Sequence, residues 1–447
     1  MDVMIEFLPL LVLNTQILTY NIKFTMKKTF TLFSAMVGIA CTAYSGNEHT
    51  NPSGYNRCAT MEHLEWMKKN DPGLETRMQS VEDAMQAWMA ANKINPKANA
   101  VTYIPTVVHV VYQTAGQNLA DMYVQQQIDV LNKDYSKTNT DWSNTPSVFQ
   151  SMSSDCQIQF CLASKDPSGN ATNGIVHKST TVASWTQDDA VKFTAQGGSD
   201  AWDATKYLNL WCCNLGSGLL GYAQFPGGSA STDGVVVLYS SFPGPPSAAP
   251  YDLGRSATHE VGHWLNLRHI NGDANCGNDF VADTPTQDAL HFGCPTHPYH
   301  VNVCSGSSNG EMFMNYMDYV DDACMVMFST GQGTRMQACL STSRSGLGPA
   351  SLTKCSSTGI ADVLPSESIS IYPNPSTGEV SITSLLNNVN SMDLKVYNAV
   401  GEAVITRKIT VPSAETKISL DNNPDGIYLF EVKTSNGTVT KKLIINR

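Results

Sequence analysis

The chain has 447 residues, 42% of them hydrophobic, with 28 Lys and Arg against 39 Asp and Glu and a net charge of −11; its pI is near 5.3. With no basic footprint, nucleic acid and anionic membrane surfaces are excluded as partners, because both are held by clustered cationic side chains. The length accommodates three domains once a leader is removed.

Residues 1–45 read as a leader. Met26-Lys27-Lys28 followed by Thr29 to Ala40 has the basic-then-apolar order of an export signal, with Ala43 and Ser45 as cleavage points. Residues 1–25 contain Glu6, Pro9, Asn14 and Gln16, a poor membrane span, so they are read as an upstream extension with Met26 as the start. Cys41 as a lipoprotein acceptor ranks second, since Gly38 stands where an aliphatic residue is usual. No later segment is long and apolar enough to span a bilayer, so no transmembrane span is expected in the mature form. The charged, Met-rich stretch 46–100 is predicted to be a helical pro-segment.

Residues 101–345 mix strand and helix patterns. Thr102 to Tyr112 is β-branched, Leu119 to Tyr135 has helical spacing, and Ile158 to Ala163 is extended. Tyr207 to Leu215, Gly221 to Phe225 and Gly234 to Tyr239 continue the sheet. The expected class is α+β or α/β: a twisted mixed sheet with one helix carrying the chemistry. His109 lies on a buried strand and is read as core, while His291, His297 and His300 fall in a polar loop and are expected to face solvent.

That helix is His259-Glu260-Val261-Gly262-His263-Trp264-Leu265-Asn266-Leu267-Arg268-His269. His259 and His263, four apart, project from one helical face one turn apart and can share a tetrahedral zinc ion. For His269 to join them the chain must turn, and Asn266 sits where the usual residue is Gly; Asn is the next best at positive φ. Glu260 is placed to take a proton from a metal-activated water and return it to a leaving amine. An ordinary amphipathic helix with solvated or core-satisfied histidines is the alternative, and the third His in register weighs against it.

Downstream lies Met314-Asn315-Tyr316-Met317-Asp318-Tyr319, where metzincin peptidases carry a turn with a Met beneath the zinc histidines. Met317 is that candidate, soft and apolar and unable to compete for zinc. After about Ser341 the composition shifts to Ser, Thr, Gly and Pro, marking a linker over 346–364. Short alternating strands over 365–447 then predict a separate all-β, sandwich-like domain.

On these residues the region from about 101 to 345 resembles the pappalysin family of metzincins. The resemblance is carried by the extended histidine motif, by Asp279-Phe280-Val281-Ala282-Asp283-Thr284-Pro285, and by Asn315 to Tyr319 followed by Asp321-Asp322-Ala323-Cys324. It implies a metalloendopeptidase acting on protein or peptide substrates. Tyr319 would donate its phenol to the oxyanion formed during attack. Asp322 would sit at the base of the S1′ pocket and favour Arg or Lys at P1′. The side chains of Asp279 and Thr284 with carbonyls of Asn278 and Val281 would bind calcium. The resemblance pairs Cys276 with Cys304 and Cys294 with Cys324, and it uses an edge strand such as Leu220 to Phe225 to hold substrate by strand addition.

Twelve cysteines point to an oxidising compartment. With Cys41 in the leader and Cys58 ahead of the catalytic region, ten remain. Pairing is left open for Cys156, Cys161, Cys212, Cys213, Cys339 and Cys355; Cys156 and Cys161 are not expected to pair with each other, and adjacent Cys212 and Cys213 are expected to choose separate partners. Cys58 suits a zinc-blocking role in a latent form, as a thiolate in the open coordination position; an inert or sixth-disulfide cysteine is the alternative. If cleavage precedes basic residues, activation would cut before Lys93 or Lys97 and maturation would be autolytic.

Ile371-Tyr372-Pro373-Asn374-Pro375, Gly426 to Phe430 and the terminal Lys441-Lys442-Leu443 resemble the sorting domain of type IX secretion cargo, which implies that secretion machinery as a partner. An accessory domain binding carbohydrate or matrix is the alternative. For the whole chain the rival to a secreted protease is a secreted adhesin that keeps a zinc fold without turnover, and the intact Glu260 argues against it.

Overall fold

The computed structural model describes residues 54–92, 101–347, 355, 369–384, 391–398, 403–410, 415–434 and 437–447. The leader, Lys93, Lys97 and most of the linker lie outside the described residues. Residues 54–57 and Ser217–Leu219 form a small unit of their own, in which Asn56 N–H donates to Gly218 O at 3.1 Å.

From Cys58 the chain forms two helices, α1 (Thr60–Asn70) and α2 (Leu74–Asn92). Leu64, Met67 and Leu74 pack with Phe225, and Met85 packs with Ala338 and Cys339. The helical segment thus lies over the strand that precedes Phe225 and over the last helix of the following domain.

That domain is built on β1 (Thr102–Tyr112), β2 (Ile158–Leu162), β3 (Ile175–Ser179), β4 (Leu208–Cys213), β5 (Gly221–Ala223) and β6 (Val235–Leu238). The order is β2-β1-β4-β6-β5, with β3 also paired to β1. The first half of β1 pairs with β2 and its second half with β3. Only β5 runs antiparallel, against β6. A strand flanked by parallel partners reads as a continuous apolar run, and Ile104 to Val111 is fully buried. His109 shares that burial, with Nδ1 2.9 Å from Ser199 Oγ and Nε2 3.2 Å from Asn209 Oδ1.

The helices of this domain are α3 (Asp121–Tyr135), the single turn α4 (Ser147–Gln150), α5 (Arg255–Trp264) and α6 (Thr330–Ser341). All ten residues of α5 are buried, the burial of a helix enclosed on every side. At its start Arg255 Nη1 donates to Asp134 Oδ1 of α3 at 2.5 Å and to Tyr316 OH at 2.6 Å, while Thr258 Oγ1 donates to Asp134 Oδ2 at 2.7 Å. The motif helix is therefore bolted to α3 and to the Met317 turn through one buried charge cluster.

The last region holds β7 to β13 (Ile369–Tyr372, Glu379–Ser384, Ser391–Tyr397, Ala403–Thr410, Glu415–Ser419, Gly426–Thr434, Gly437–Ile445). They form a four-stranded sheet, β10-β9-β12-β13, and a three-stranded sheet, β11-β8-β7. The inward faces, including Val380, Leu394, Phe430 and Leu443, make one apolar core.

Several expectations are corrected. β3 went unread because Ile-Val-His-Lys-Ser is short and half exposed. β5 stops at Ala223, since Gln224 N–H turns to Gly234 O. His291 does not face solvent: it is 5% exposed and stands between Asp318 and Glu311. Cys212 and Cys213 take no partners; both are free and buried on β4, as are Cys156 and Cys339 elsewhere. Disulfides join Cys276 to Cys304, Cys294 to Cys324 and Cys161 to Cys355.

Candidate active site

Helix α5 ends in a left-handed residue, Asn266 with φ 68°. Asn266 N–H donates to His263 O at 2.8 Å and Leu267 N–H to Gly262 O at 2.9 Å, the paired bonds of a Schellman ending. The reversal brings His269 back to the helix. His263 Nε2 lies 3.1 Å from the Nε2 atoms of both His259 and His269.

The partners of the other ring nitrogens fix the tautomers. His259 Nδ1 faces Tyr316 O at 2.7 Å and His263 Nδ1 faces Leu267 O at 2.8 Å. Carbonyls only accept, so Nδ1 carries the proton in each ring. Burial holds the His263 pKa well below its ordinary value, so that ring is neutral and its Nε2 is a lone pair. His269 Nδ1 is oriented by Asp273 Oδ1 at 2.5 Å. Converging nitrogen lone pairs at 3.1 Å repel unless a cation lies between them. This donor set, three Nε2 atoms each aimed from behind by a carbonyl or carboxylate, fits zinc.

Cys58 Sγ completes a group whose ligand atoms all lie within 4.8 Å of one another. Burial, and then the Glu260 carboxylate, push the Cys58 thiol well above its ordinary pKa. A thiolate there needs a cation beside it.

Glu260 Oε2 accepts from Thr60 Oγ1 at 2.8 Å and lies 3.5 Å from Cys58 Sγ. Thr60 Oγ1 also accepts from Ala223 N–H at 2.8 Å, and Ala59 N–H donates to Gly221 O at 3.0 Å. Residues 59–60 thus take up backbone groups of β5, the edge strand. Tyr319 OH donates to Cys58 O at 3.4 Å, with its ring 4.9 Å from that of His269; burial raises its pKa well above the usual phenol range, so it is a protonated donor.

Two glycines are required by close approach. A Cβ on Gly262 would stand 2.5 Å from Met317 Sδ, and one on Gly221 would stand 2.8 Å from Glu260 Cγ. Met317 is fully buried beneath α5. Neither these glycines nor Thr60 nor Asp273 was read from sequence; an acid four residues after the third His was the available signal for Asp273.

Asp322 is buried, and its Oδ2 accepts from the N–H groups of Leu253 and Arg255 at 3.0 and 3.2 Å. It caps the start of α5, where a negative charge is favoured. In the Asp279 loop, Thr284 Oγ1 donates to Asp279 Oδ2 at 2.8 Å and to Val281 O at 3.0 Å, while Asn278 Oδ1 accepts from Phe280 N–H. Burial pushes the Asp279 carboxyl up to about 6 despite the nearby Arg335 charge; a buried acid beside a hydroxyl and a carbonyl fits a hard, oxygen-seeking cation. Asp283 instead accepts from Ser329 Oγ and Gly331 N–H at the start of α6.

A sequence model described as pregnancy-associated plasma protein-A matches residues 193–341, and one described as a secretion system C-terminal sorting domain matches 370–446. An extracellular metalloprotease of Colletotrichum graminicola is 30% identical over 328 residues, 70% of this chain and 97% of the relative. One from Pyricularia oryzae is 31% identical over 273 residues, 58% of this chain and 83% of the relative. Among solved structures, mature mirolysin of Tannerella forsythia in complex with a cleaved peptide is 45% identical, with TM-score 0.56, over 58% of this chain and 99% of its own. A promirolysin mutant of the same organism is 41% identical, with TM-score 0.62, over 67% and 99%.

Proposed function

The chain belongs to the pappalysin family of secreted metalloproteases and carries a C-terminal sorting domain, and from that premise we propose that it is a zinc endopeptidase made latent by its own residues 58–60. The observation that carries this reading is that one short segment engages every reactive group at once. Cys58 Sγ joins the three imidazoles, Thr60 occupies Glu260, and the Cys58 carbonyl occupies Tyr319.

His259, His263 and His269 would hold zinc, which would supply Lewis acidity at the scissile carbonyl and the attacking water. Glu260 accepts the proton of that water and passes it to the leaving amine. The Tyr319 phenol donates to the carbonyl oxygen as negative charge develops. The backbone groups of β5 that Ala59 and Thr60 engage hold an extended substrate once the segment leaves.

Asp322, five residues after Met317 and buried, supports a preference for Arg or Lys at P1′, since a buried carboxylate favours a cationic side chain. That preference makes cuts before Lys93 or Lys97 self-inflicted. Asp279, Thr284 and the carbonyls of Val281 and Asn278 are proposed to hold calcium. The sorting domain is proposed to engage the type IX secretion machinery; a chain truncated before residue 365 should stay in the cell.

The test is digestion of an unstructured protein by processed enzyme, with mass-spectrometric mapping of new termini and a chelator control. Chelator-sensitive cuts before Arg or Lys are expected, and Glu260→Ala should keep zinc while losing activity by about 10³-fold or more. Substantial turnover by that variant would sink the assignment.

A further inference from the structure

Away from the α5 histidines, a second set of metal-ligating side chains converges. Asp288, His291, His300 and Glu311 each offer one ligand atom, all within 4.8 Å of one another. His291 Nε2 is 2.9 Å from Glu311 Oε2, and His300 Nδ1 is 3.0 Å from Asp288 Oδ1 and 3.5 Å from Glu311 Oε2. Two ligands at zinc bond lengths in a tetrahedron stand about 3.4 Å apart, so these spacings match those around a single ion.

One atom of each buried member of this group lacks an aligned hydrogen bond. Glu311 is fully buried and His291 is 5% exposed, yet Glu311 Oε2 and His291 Nε2 have no hydrogen-bond partner. Their 2.9 Å approach is an ion pair without the alignment of a hydrogen bond. A buried carboxylate oxygen that faces two imidazoles without an aligned hydrogen bond calls for a reason in a native structure.

The surroundings are those of a prepared site. His291 Nδ1 is held by Asp318 Oδ2 at 2.8 Å, the outer carboxylate that orients a ligating imidazole. Glu311 Oε1 accepts from Asp288 N–H at 2.9 Å. His300 holds a left-handed backbone, φ 49°, a conformation uncommon outside glycine and seen where surrounding structure imposes it. The Cys276–Cys304 and Cys294–Cys324 bonds fix the loop's path.

We propose that Asp288, His291, His300 and Glu311 form a second divalent-metal site, with two nitrogen and two oxygen ligands, that takes zinc or a similar borderline transition-metal ion. Two imidazoles select against calcium and magnesium. The site would act on the first one through Asp318, which lies between Met317 and Tyr319 and whose Oδ1 accepts from the N–H groups of His291 and Tyr319, each at 2.7 Å. A metal drawing on His291 therefore steadies the turn that supports the catalytic histidines and places the Tyr319 phenol.

The experiment uses the full chain carrying Glu260→Ala to prevent self-digestion, stripped of metal and titrated with Co²⁺ and, separately, Zn²⁺. Two equivalents of each are expected. One cobalt equivalent should show thiolate charge-transfer absorption from Cys58, and the other, with nitrogen and oxygen ligands alone, should show none. His300→Gln, at a side chain 35% exposed and so tolerant of exchange, should lose the second equivalent while keeping the first. One equivalent in the parent chain would overturn the proposal and leave a protonated His291 in an ion pair. A second ion taken only as calcium, or a second equivalent that survives in both His300→Gln and His291→Gln, would overturn it equally.

Discussion

Replacing Gly262 by Ala tests how α5 rests on the Met317 turn. The added methyl would lie 2.5 Å from Met317 Sδ and 3.3 Å from its Cε, against ordinary contacts of about 3.5–4 Å, so Met317 must yield by about 1 Å. Such overpacking costs about 1–3 kcal/mol. Ala also gains about 1 kcal/mol over Gly in a helix interior. The net expectation is a loss of up to about 2 kcal/mol. In a Met317→Ala background the obstacle is gone, and the same change should stabilise by up to about 1 kcal/mol. Urea unfolding of the four chains of this cycle, all carrying Glu260→Ala and with zinc held constant, gives both differences from midpoints at unchanged slope. An effect of the same sign and size in the two backgrounds would refute the contact as the reason for Gly262.

Glu82 on α2 receives both Nη atoms of Arg335, a side chain 2% exposed, and accepts from Asn266 Nδ2 at 3.3 Å. Charged hydrogen bonds of this kind contribute about 1.5–3 kcal/mol, so Glu82→Ala should raise the peptidase activity of the unprocessed chain about 10–100-fold and leave the processed enzyme unchanged; equal activity before processing would contradict the latching role. Asp322→Asn should abolish the preference for Arg or Lys at P1′ in a peptide library, with a modest fall in stability because a cap on α5 weakens; an unaltered profile removes Asp322 from specificity. Burial depresses His109 to about 4, below its unfolded value near 6.5. The unfolded chain therefore binds the extra proton first, and stability present above pH 6.5 is lost as pH falls toward 4, by about 3 kcal/mol from this group. His109→Gln should flatten that part of the stability-against-pH curve, and an unchanged slope would exclude His109 as its source.

Much of the site was legible because its signals are local. The spacing of His259 and His263 needs only a helix, and Asn266 announced a left-handed ending that the backbone adopts. β1 was bounded correctly because a strand covered on both faces carries an uninterrupted apolar run. What stayed hidden depends on residues far apart in sequence. Thr60 meets Glu260 across 200 positions, and nothing near Thr60 marks it. His291 sits in a polar, Gly- and Pro-containing loop that composition assigns to solvent, yet Asp318 and Glu311 from the following segment enclose it. Cys212 and Cys213 lie on a strand with every residue buried, where a thiol behaves as a small apolar side chain. Asp322 shows the converse: motif position suggested a pocket, and only the fold reveals that the same carboxylate caps α5.

The Cys161–Cys355 bond closes a loop of 194 positions between β2 and the stretch that leads to the sorting domain. Cutting the main chain between Leu347 and Cys355 would leave residues 355–447 tethered through sulfur, so two fragments would travel as one until reductant is added. A cut a few residues later, beyond Cys355, would shed the sorting domain outright. Which side of one cysteine a processing enzyme chooses thus decides between a retained and a discarded tail, and electrophoresis with and without reductant distinguishes the two.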